Sequence, residues 1–198
     1  MVDPKIVSFY TPDYKPYAEA LQASAKTFGL TVHAGLLGSF DSWHAVVMYK
    51  PRFILQMLES LERFDESQGV LWVDADACFR AKPDFQILTE CDFAATQFRW
   101  SLGHPWEMLT GTLFFRNTPR VKDFIQMWSS LTEQNWKHHD TPEQMGLKEA
   151  WELNKKEQLP LRYLDLPVTW TWILPEFDNL YSGVPFIVHL QASRTMRK

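Results

Sequence analysis

The 198-residue chain is long enough for one domain with a sizeable hydrophobic core, and two independent domains would be cramped in it. Its 20 Lys and Arg against 24 Asp and Glu give a net charge of −4, which excludes coating of a polyanion by general electrostatics. Any nucleic-acid partner would therefore have to be met by a local patch. The two cysteines, Cys78 and Cys91, make neither a disulfide framework nor a zinc site.

The sequence also bears on location. Residues 1–5 carry no apolar signal region, and no run approaches the ~20 apolar residues that a membrane helix needs. Two cysteines without metal-type spacing are typical of a reduced compartment. We therefore expect no membrane partner and a cytoplasmic location.

The first half of the chain alternates between strand and helix patterns. Apolar and β-branched runs predict strands, apolar residues at helical spacing predict helices, and turn residues separate them. In chain order these are a strand over Lys5–Tyr10, a helix from about Lys15 to Phe28, a strand over Leu30–Leu36, a helix with an apolar face from Tyr49 to Leu61, and a strand over Gly69–Val73. The last run is almost wholly apolar, which is typical of a strand buried on both faces of a parallel sheet.

The second half continues this alternation. It contains predicted strands over Cys91–Phe98 and Thr110–Phe115, helices over Pro119–Leu131 and Pro142–Leu153, and a final strand over Pro185–His189. The order predicts an α/β protein with a central, mostly parallel sheet flanked by helices and joined by right-handed crossovers. No repeat or domain boundary interrupts the pattern, so we expect a single domain over residues 1–198.

A pair of carboxylates follows the buried third strand. Asp74 and Asp76 come directly after Val73, at the edge of an α/β sheet where ligands bind. Strand alternation would point both side chains the same way, with Ala75 opposite. Two carboxylates on one side suit a hard divalent cation such as Mg²⁺ or Mn²⁺, which bridges readily to phosphates. The alternative is a solvated turn or helix cap, because Asp-x-Asp also occurs by chance.

Four motifs, in the same order, resemble the GT-A fold of nucleotide-diphospho-sugar transferases, a single Rossmann-like domain. The first is Val73-Asp74-Ala75-Asp76, which follows a hydrophobic strand and an earlier helix beginning at Tyr49-Lys50-Pro51. The second is the run from Gly111 to Pro119, and the third is the pair Glu143-Gln144 in place of the family's Asp-Gln. The fourth is the late His189. They span nearly the whole chain. The resemblance implies a glycosyltransferase of hexosyltransferase type that uses a UDP-sugar donor and a divalent metal, Mn²⁺ or Mg²⁺.

The resemblance also assigns residues. It implies a metal site of Asp74, Asp76 and His189, and donor contacts from Tyr10, Thr11, Tyr14, Lys50, Thr110, Gly111, Thr112 and Gln144, with Arg194 and Lys198 of the basic end folding over the diphosphate. Each has a structural alternative: a core tyrosine, a solvated lysine at a helix start, a strand bulge at the glycine, a structural histidine, and a frayed basic tail.

Glu143 and Asp74 are the catalytic candidates. In an inverting enzyme the Glu143 carboxylate would take the proton from the acceptor hydroxyl, whereas in a retaining enzyme it would stabilise an oxocarbenium-like centre. The sequence does not choose between the two. The alternative for Glu143 is an exposed residue in a first helical turn, where the helix dipole favours it.

A narrower resemblance concerns the acceptor. Trp72–Asp76, Gly111–Phe115 and His189–Arg194 resemble the small phage-encoded glycosyltransferases associated with TET-type oxygenases. That group implies hydroxymethylated bases in DNA, such as 5-hydroxymethylcytosine, as acceptor, and the host cell cytoplasm as location. Basic and aromatic loops at 99–106 and 134–139 would suit a flipped base or a glycan.

The sequence is also compatible with other functions. The enzyme alternatives are transfer to a glycan, lipid or protein, and a nucleotide-sugar hydrolase or phosphotransferase using the same metal site. The chain lacks a Gly-x-x-x-x-Gly-Lys loop, which excludes the P-loop version. A catalytically silent module that binds nucleotide-sugars is the alternative outside enzymes.

Overall fold

The computed structural model describes residues 4–38, 40–61, 69–137 and 139–192. Nine strands lie in these ranges: β1 (Lys5–Tyr10), β2 (Val32–Leu36), β3 (Gly69–Val73), β4 (Ala77–Phe79), β5 (Phe93–Phe98), β6 (Glu107–Arg116), β7 (Tyr163–Asp165), β8 (Trp172–Ile173) and β9 (Ile187–His189). Six form the main sheet in the order β2-β1-β3-β6-β5-β7. Strand β6 runs antiparallel to both its neighbours, and the other pairings are parallel. The predicted α/β fold with a mostly parallel sheet is confirmed.

Four helices flank this sheet: α1 (Lys15–Thr27), α2 (Trp43–Leu61), α3 (Pro119–Asn135) and α4 (Pro142–Asn154). Alternation along β3 sends Trp72 into a core cluster with α2, α3 and α4, and Leu71 into a second cluster with α1. All five residues of β3 are buried, as its apolar run predicts. None of the helices in the described ranges is long and apolar enough to cross a membrane.

Helix α2 begins earlier than the sequence pattern suggested. The apolar face from Tyr49 and the resemblance to the GT-A fold predict a helix start at Tyr49-Lys50-Pro51. The helix instead begins at Trp43, where the Ser42 hydroxyl accepts a hydrogen bond from the Ala45 N–H (3.2 Å) and Pro51 lies inside the helix. Lys50 is consequently buried in mid-helix rather than exposed at a helix start.

A second, three-stranded sheet in the order β4-β9-β8 lies beyond the end of β3. Asp74 to Asp76 form the turn between β3 and β4, closed by a hydrogen bond from the Ala77 N–H to the Asp74 carbonyl (3.1 Å). The two carboxylates therefore lie in a turn, and the expected strand alternation does not apply to them. The small sheet matters because Ala77 pairs with His189 across β4 and β9.

Candidate functional site

The turn after β3 and the end of β9 bring three metal-ligating side chains together. One ligand atom each from Asp74, Asp76 and His189 lies within 4.8 Å of the others. The pairing of Ala77 with His189 explains the proximity, since Ala77 directly follows Asp76. Two carboxylate oxygens and an imidazole nitrogen form a donor set that suits Mn²⁺ or Mg²⁺. The three residues predicted as metal ligands are thus adjacent in space.

The segment after β9 holds both the backbone and the side chain of Asp76. The Leu190 N–H donates to the Asp76 carbonyl (3.0 Å), and the Ala192 N–H donates to Asp76 Oδ2 (2.8 Å). Between them Gln191 has a φ of 55°, which is uncommon for a residue other than glycine. Strained backbone of this kind persists only where surrounding contacts determine it. The segment after β9 is therefore fastened to the candidate metal site.

His189 is buried in a setting that keeps it neutral. Its Nε2 lies 3.0 Å from the Thr112 hydroxyl. Burial lowers the pKa of His189 to about 4, while the Asp74 charge opposes this shift. The imidazole is therefore unprotonated at neutral pH, which is the form that binds metals.

The middle of β6 departs from regular pairing beside His189. Ala95 of β5 pairs with Leu113, whereas the next residue, Thr96, pairs with Leu109, so residues 110–112 bulge out of the register. A Cβ at Gly111 would lie 2.8 Å from the His189 ring, so only glycine leaves room for the imidazole. Such bulges occur frequently next to active sites.

This bulge changes the place of one residue assigned to the donor. We expected Thr110, Gly111 and Thr112 to form the floor under a donor sugar. Thr110 and Gly111 line a cavity beside the site, but Thr112 is fully buried and is not among the described residues that line it. The Thr112 hydroxyl lies 3.0 Å from His189 Nε2 instead.

Lys50 places a buried positive charge against the carboxylates. Its Nζ lies 2.9 Å from Asp74 Oδ1 and donates to the Thr110 carbonyl at 3.2 Å. The ammonium also lies 5.4 Å from the centre of the Trp72 ring, whose Nε1 donates to Asp74. Lys50 is only 4% exposed, so the solvated-lysine alternative is wrong. Its charge compensates Asp74 within the protein.

Glu143 lies in the first turn of α4 and points inward. It is 5% exposed, which contradicts the alternative of an exposed helix-start glutamate. Its Oε1 accepts a hydrogen bond from the Thr110 hydroxyl (3.4 Å), and its Oε2 has no hydrogen-bond partner in the described part of the chain. Burial raises the pKa of Glu143, and the Lys50 charge works against that rise. A buried carboxyl with a raised pKa and a free oxygen is suited to hold or take up a proton.

Asp76 also has an altered proton affinity. Burial, followed by repulsion from Asp74, raises the pKa of Asp76 to about 6. Two neighbouring carboxylates resist being charged together. A divalent cation between them would relieve that repulsion, so the charge distribution of the site favours a bound metal.

Two cavities of about 140 and 240 Å³ meet at these groups and share Trp43, Asp74 and Glu143 in their walls. The smaller is also lined by Tyr10, Thr11, Tyr14, Lys50 and Asp76, which include the residues predicted to touch a nucleotide. The larger is also lined by Thr110, Gly111, Thr141, Gln144, Thr171, His189 and Gln191. Trp43 was not singled out from the sequence, where a ligand-facing tryptophan looks like any of the nine.

The remaining predicted residues divide into two groups. Arg194 and Lys198 lie outside the described residues. The aromatic loop at 99–106 is held on α4, because Lys148 Nζ donates to the Trp106 carbonyl (2.9 Å) and lies 4.7 Å from the centre of its ring. At the other loop, Trp136 is 44% exposed.

Solved structures resemble this arrangement as a whole. No family model matches the chain, and no curated protein matches it in sequence. A glycosyltransferase involved in the glycosylation of the major capsid of PBCV-1 superposes with a TM-score of 0.70 at 16% identity, over 98% of this chain and 97% of that one. The glycosyltransferase GlyE of Streptococcus pneumoniae TIGR4 superposes with a TM-score of 0.58 at 16% identity, over 96% of this chain but 54% of its own. The chain therefore spans about half of GlyE, and it has the fold of these glycosyltransferases.

Proposed function

We propose that the protein is a metal-dependent glycosyltransferase of the GT-A type, which moves a sugar from a UDP-sugar to an acceptor hydroxyl. The observation that carries the proposal is the cluster of Asp74, Asp76 and His189 where two cavities meet, beside a buried Glu143. A fold shared with glycosyltransferases supports it.

The donor set fits a divalent cation. Asp74, Asp76 and His189 would hold Mn²⁺ or Mg²⁺, because such ions bind carboxylate oxygens and unprotonated imidazole, and burial keeps His189 neutral. When bound, the ion neutralises charge that develops on the diphosphate leaving group. The repulsion between the two aspartates, which a bound cation would relieve, also supports this assignment.

The two cavities suggest how a donor lies. Tyr10, Tyr14 and Trp43 line the smaller cavity, and in the proposal their rings stack on a uracil base. The three candidate metal ligands, where the two cavities meet, would face the diphosphate. The sugar would then lie in the larger cavity with Gln144 and Thr110. In the proposal, Lys50 holds Asp74 in place, and Arg194 and Lys198 keep their predicted role at the phosphates.

Glu143 is the proposed proton acceptor. Glu143 lines both cavities, where an acceptor hydroxyl and the donor sugar would meet, and its Oε2 has no hydrogen-bond partner in the described part of the chain. The raised pKa matches the proton affinity of this carboxyl to a hydroxyl proton more closely than an exposed carboxylate would. If the enzyme retains configuration, the same oxygen would face the oxocarbenium-like centre.

For the acceptor, we propose a hydroxymethylated base in DNA, such as 5-hydroxymethylcytosine. The support is the sequence resemblance together with Arg99 and Trp100 at one loop and Trp136 and Lys137 at another, where Lys137 Nζ lies 5.3 Å from the Trp136 ring centre. Transfer to a protein-linked or other glycan is the second candidate. The likeness to a glycosyltransferase involved in glycosylation of the PBCV-1 major capsid, which extends over both chains, favours it.

The test combines metal binding with product analysis. The protein would be titrated with Mn²⁺ and UDP by calorimetry, then incubated with a panel of UDP-sugars and either hydroxymethylcytosine DNA or oligosaccharides. A hexose mass on digested nucleosides supports DNA, and one on the oligosaccharide supports a glycan. Asp76→Asn should abolish manganese-dependent UDP binding, while Asp123→Asn, an exposed aspartate of α3, should not. Equal binding by wild type and Asp76→Asn would remove the metal role.

A further inference from the structure

Glu107, at the start of β6, receives two side-chain hydrogen bonds on one oxygen. Its Oε2 accepts from Gln144 Nε2 at 2.9 Å and from Trp100 Nε1 at 3.0 Å. Glu107 is half-buried and is not among the described residues that line the two cavities, whereas Gln144 lines the larger one. This glutamate therefore stands behind a residue of the site and not in it.

The chemistry of these partners determines how Gln144 is oriented. A side-chain amide has a donor end and an acceptor end of almost equal size, so packing alone barely distinguishes them. An ionised carboxylate only accepts hydrogen bonds. Glu107 therefore draws the NH₂ of Gln144 toward itself and leaves the amide oxygen as the free end.

We propose that Glu107 is a positioning residue that fixes the Gln144 amide so that its oxygen is available to a hydroxyl group in the larger cavity. The proposal rests on the proposed function, and it names the substrate group concerned: a sugar hydroxyl, which donates to Gln144 Oε1. Hydrogen-bond donors and acceptors set in advance discriminate strongly among hydroxylated ligands.

The Trp100 bond gives Glu107 a second connection. Through it, the loop at 99–106 is attached at its beginning to the residue that orients Gln144, and Lys148 attaches its end at Trp106. Because the two bonds to Glu107 come from different side chains, they can be removed separately. Trp100→Phe removes the loop bond and leaves the Gln144 bond in place.

The main experiment uses Glu107→Gln, which keeps the shape but gives position 107 its own NH₂. The side-chain amide of Gln144 can then flip. The catalytic rate with a UDP-sugar and Mn²⁺ should therefore fall about tenfold, which corresponds to the free energy of one hydrogen bond to a charged group. The affinity for UDP with Mn²⁺ should not change, because the nucleotide would lie in the smaller cavity. Trp100→Phe should lose less than Glu107→Gln.

The matched control is Glu149→Gln. Glu149 lies on α4 like Gln144 and also accepts an amide hydrogen bond, from Asn135 at 2.9 Å, yet it lies away from both cavities. This variant should keep full turnover. In a Gln144→Ala background, Glu107→Gln should cause no further loss, since Glu107 would act through an amide that is absent. An equal loss in that background, or weaker UDP binding, would overturn the proposal.

An NMR measurement separates this proposal from the failure of the proposed function. The side-chain NH₂ signals of Gln144 should shift in Glu107→Gln and stay unchanged in Glu149→Gln, whether or not any sugar is transferred. A wild-type protein that binds neither UDP nor a UDP-sugar would count against the proposed function alone. Unchanged Gln144 signals in Glu107→Gln would overturn the orienting role.

Discussion

Replacing Gly111 with alanine tests how the site is assembled. The new Cβ would lie 2.8 Å from His189 Cε1 and 2.9 Å from its Nδ1, closer than such atoms pack without movement. The ring cannot swing freely away, because it is 2% exposed and bonded to Thr112. Gly111 has no left-handed φ, so the effect is steric and not conformational.

The expected cost follows from overpacking. Inserting a methyl group into a filled core costs about 1–3 kcal/mol, against about 0.5–1 kcal/mol gained by replacing glycine in a strand. We expect a net loss of about 1–2 kcal/mol, or about 3 °C in Tm for each kcal/mol at this chain length. A displaced imidazole should also weaken Mn²⁺ binding about tenfold or more.

Thermal unfolding without metal and calorimetry with Mn²⁺ measure the two effects. Gly35→Ala is the control, because Gly35 is also in a strand and its added Cβ would meet only Phe53, at an ordinary 3.5 Å. That variant should be neutral or slightly stabilised. Gly111→Ala with unchanged Tm and unchanged Mn²⁺ affinity would refute the argument that Gly111 makes room for His189.

Three further predictions concern charge. Lys50→Met should lower the free energy of unfolding, measured by thermal unfolding, by about 2 kcal/mol. This is less than the ~3–5 kcal/mol of a fully buried pair, because the Asp74 side chain is 31% exposed. The control Arg52→Met, at an exposed ion pair of α2, should change the free energy little. Mn²⁺ affinity measured from pH 8 to pH 5 should fall about tenfold per pH unit below about 6, where Asp76 takes up a proton, and a pH-independent affinity would contradict this. Hydrogen bonds from Arg162 lower the pKa of Asp92. The pair therefore stabilises the fold above the unfolded pKa of about 4, and this stabilisation is lost as the pH falls further. In Asp92→Asn, the free energy of unfolding should depend less steeply on pH in this acid range.

Long, periodic elements were predictable from the sequence. Strand β1 matches its predicted range of Lys5–Tyr10, and β3 is buried on both faces as its apolar run indicates. These predictions rest on patterns repeated over several residues. The very short strands β4, β7 and β8 were not predicted, because two or three residues carry no measurable periodicity.

The site was partly predictable for a different reason. Asp74 and Asp76 stand out because they follow an apolar run, but their closeness to His189 depends on the β4–β9 pairing, which no local pattern encodes. The burial of Glu143 likewise comes from tertiary packing, since a glutamate in a first turn looks solvent-exposed in sequence. Glu107 gave no signal, because its partners lie 7 and 37 residues away.

The segment after β9 bonds to Asp76, although the two are far apart in sequence. The bond from the Ala192 N–H to Asp76 closes over a separation of 116 residues. Closing so long a loop costs chain entropy, which the contacts of the folded site have to offset. Opening of the small sheet alone would remove His189 from the two aspartates while the six-stranded sheet stays folded. Metal binding would then stabilise the small sheet against local unfolding. Amide exchange in β9 should therefore be slower when Mn²⁺ is added.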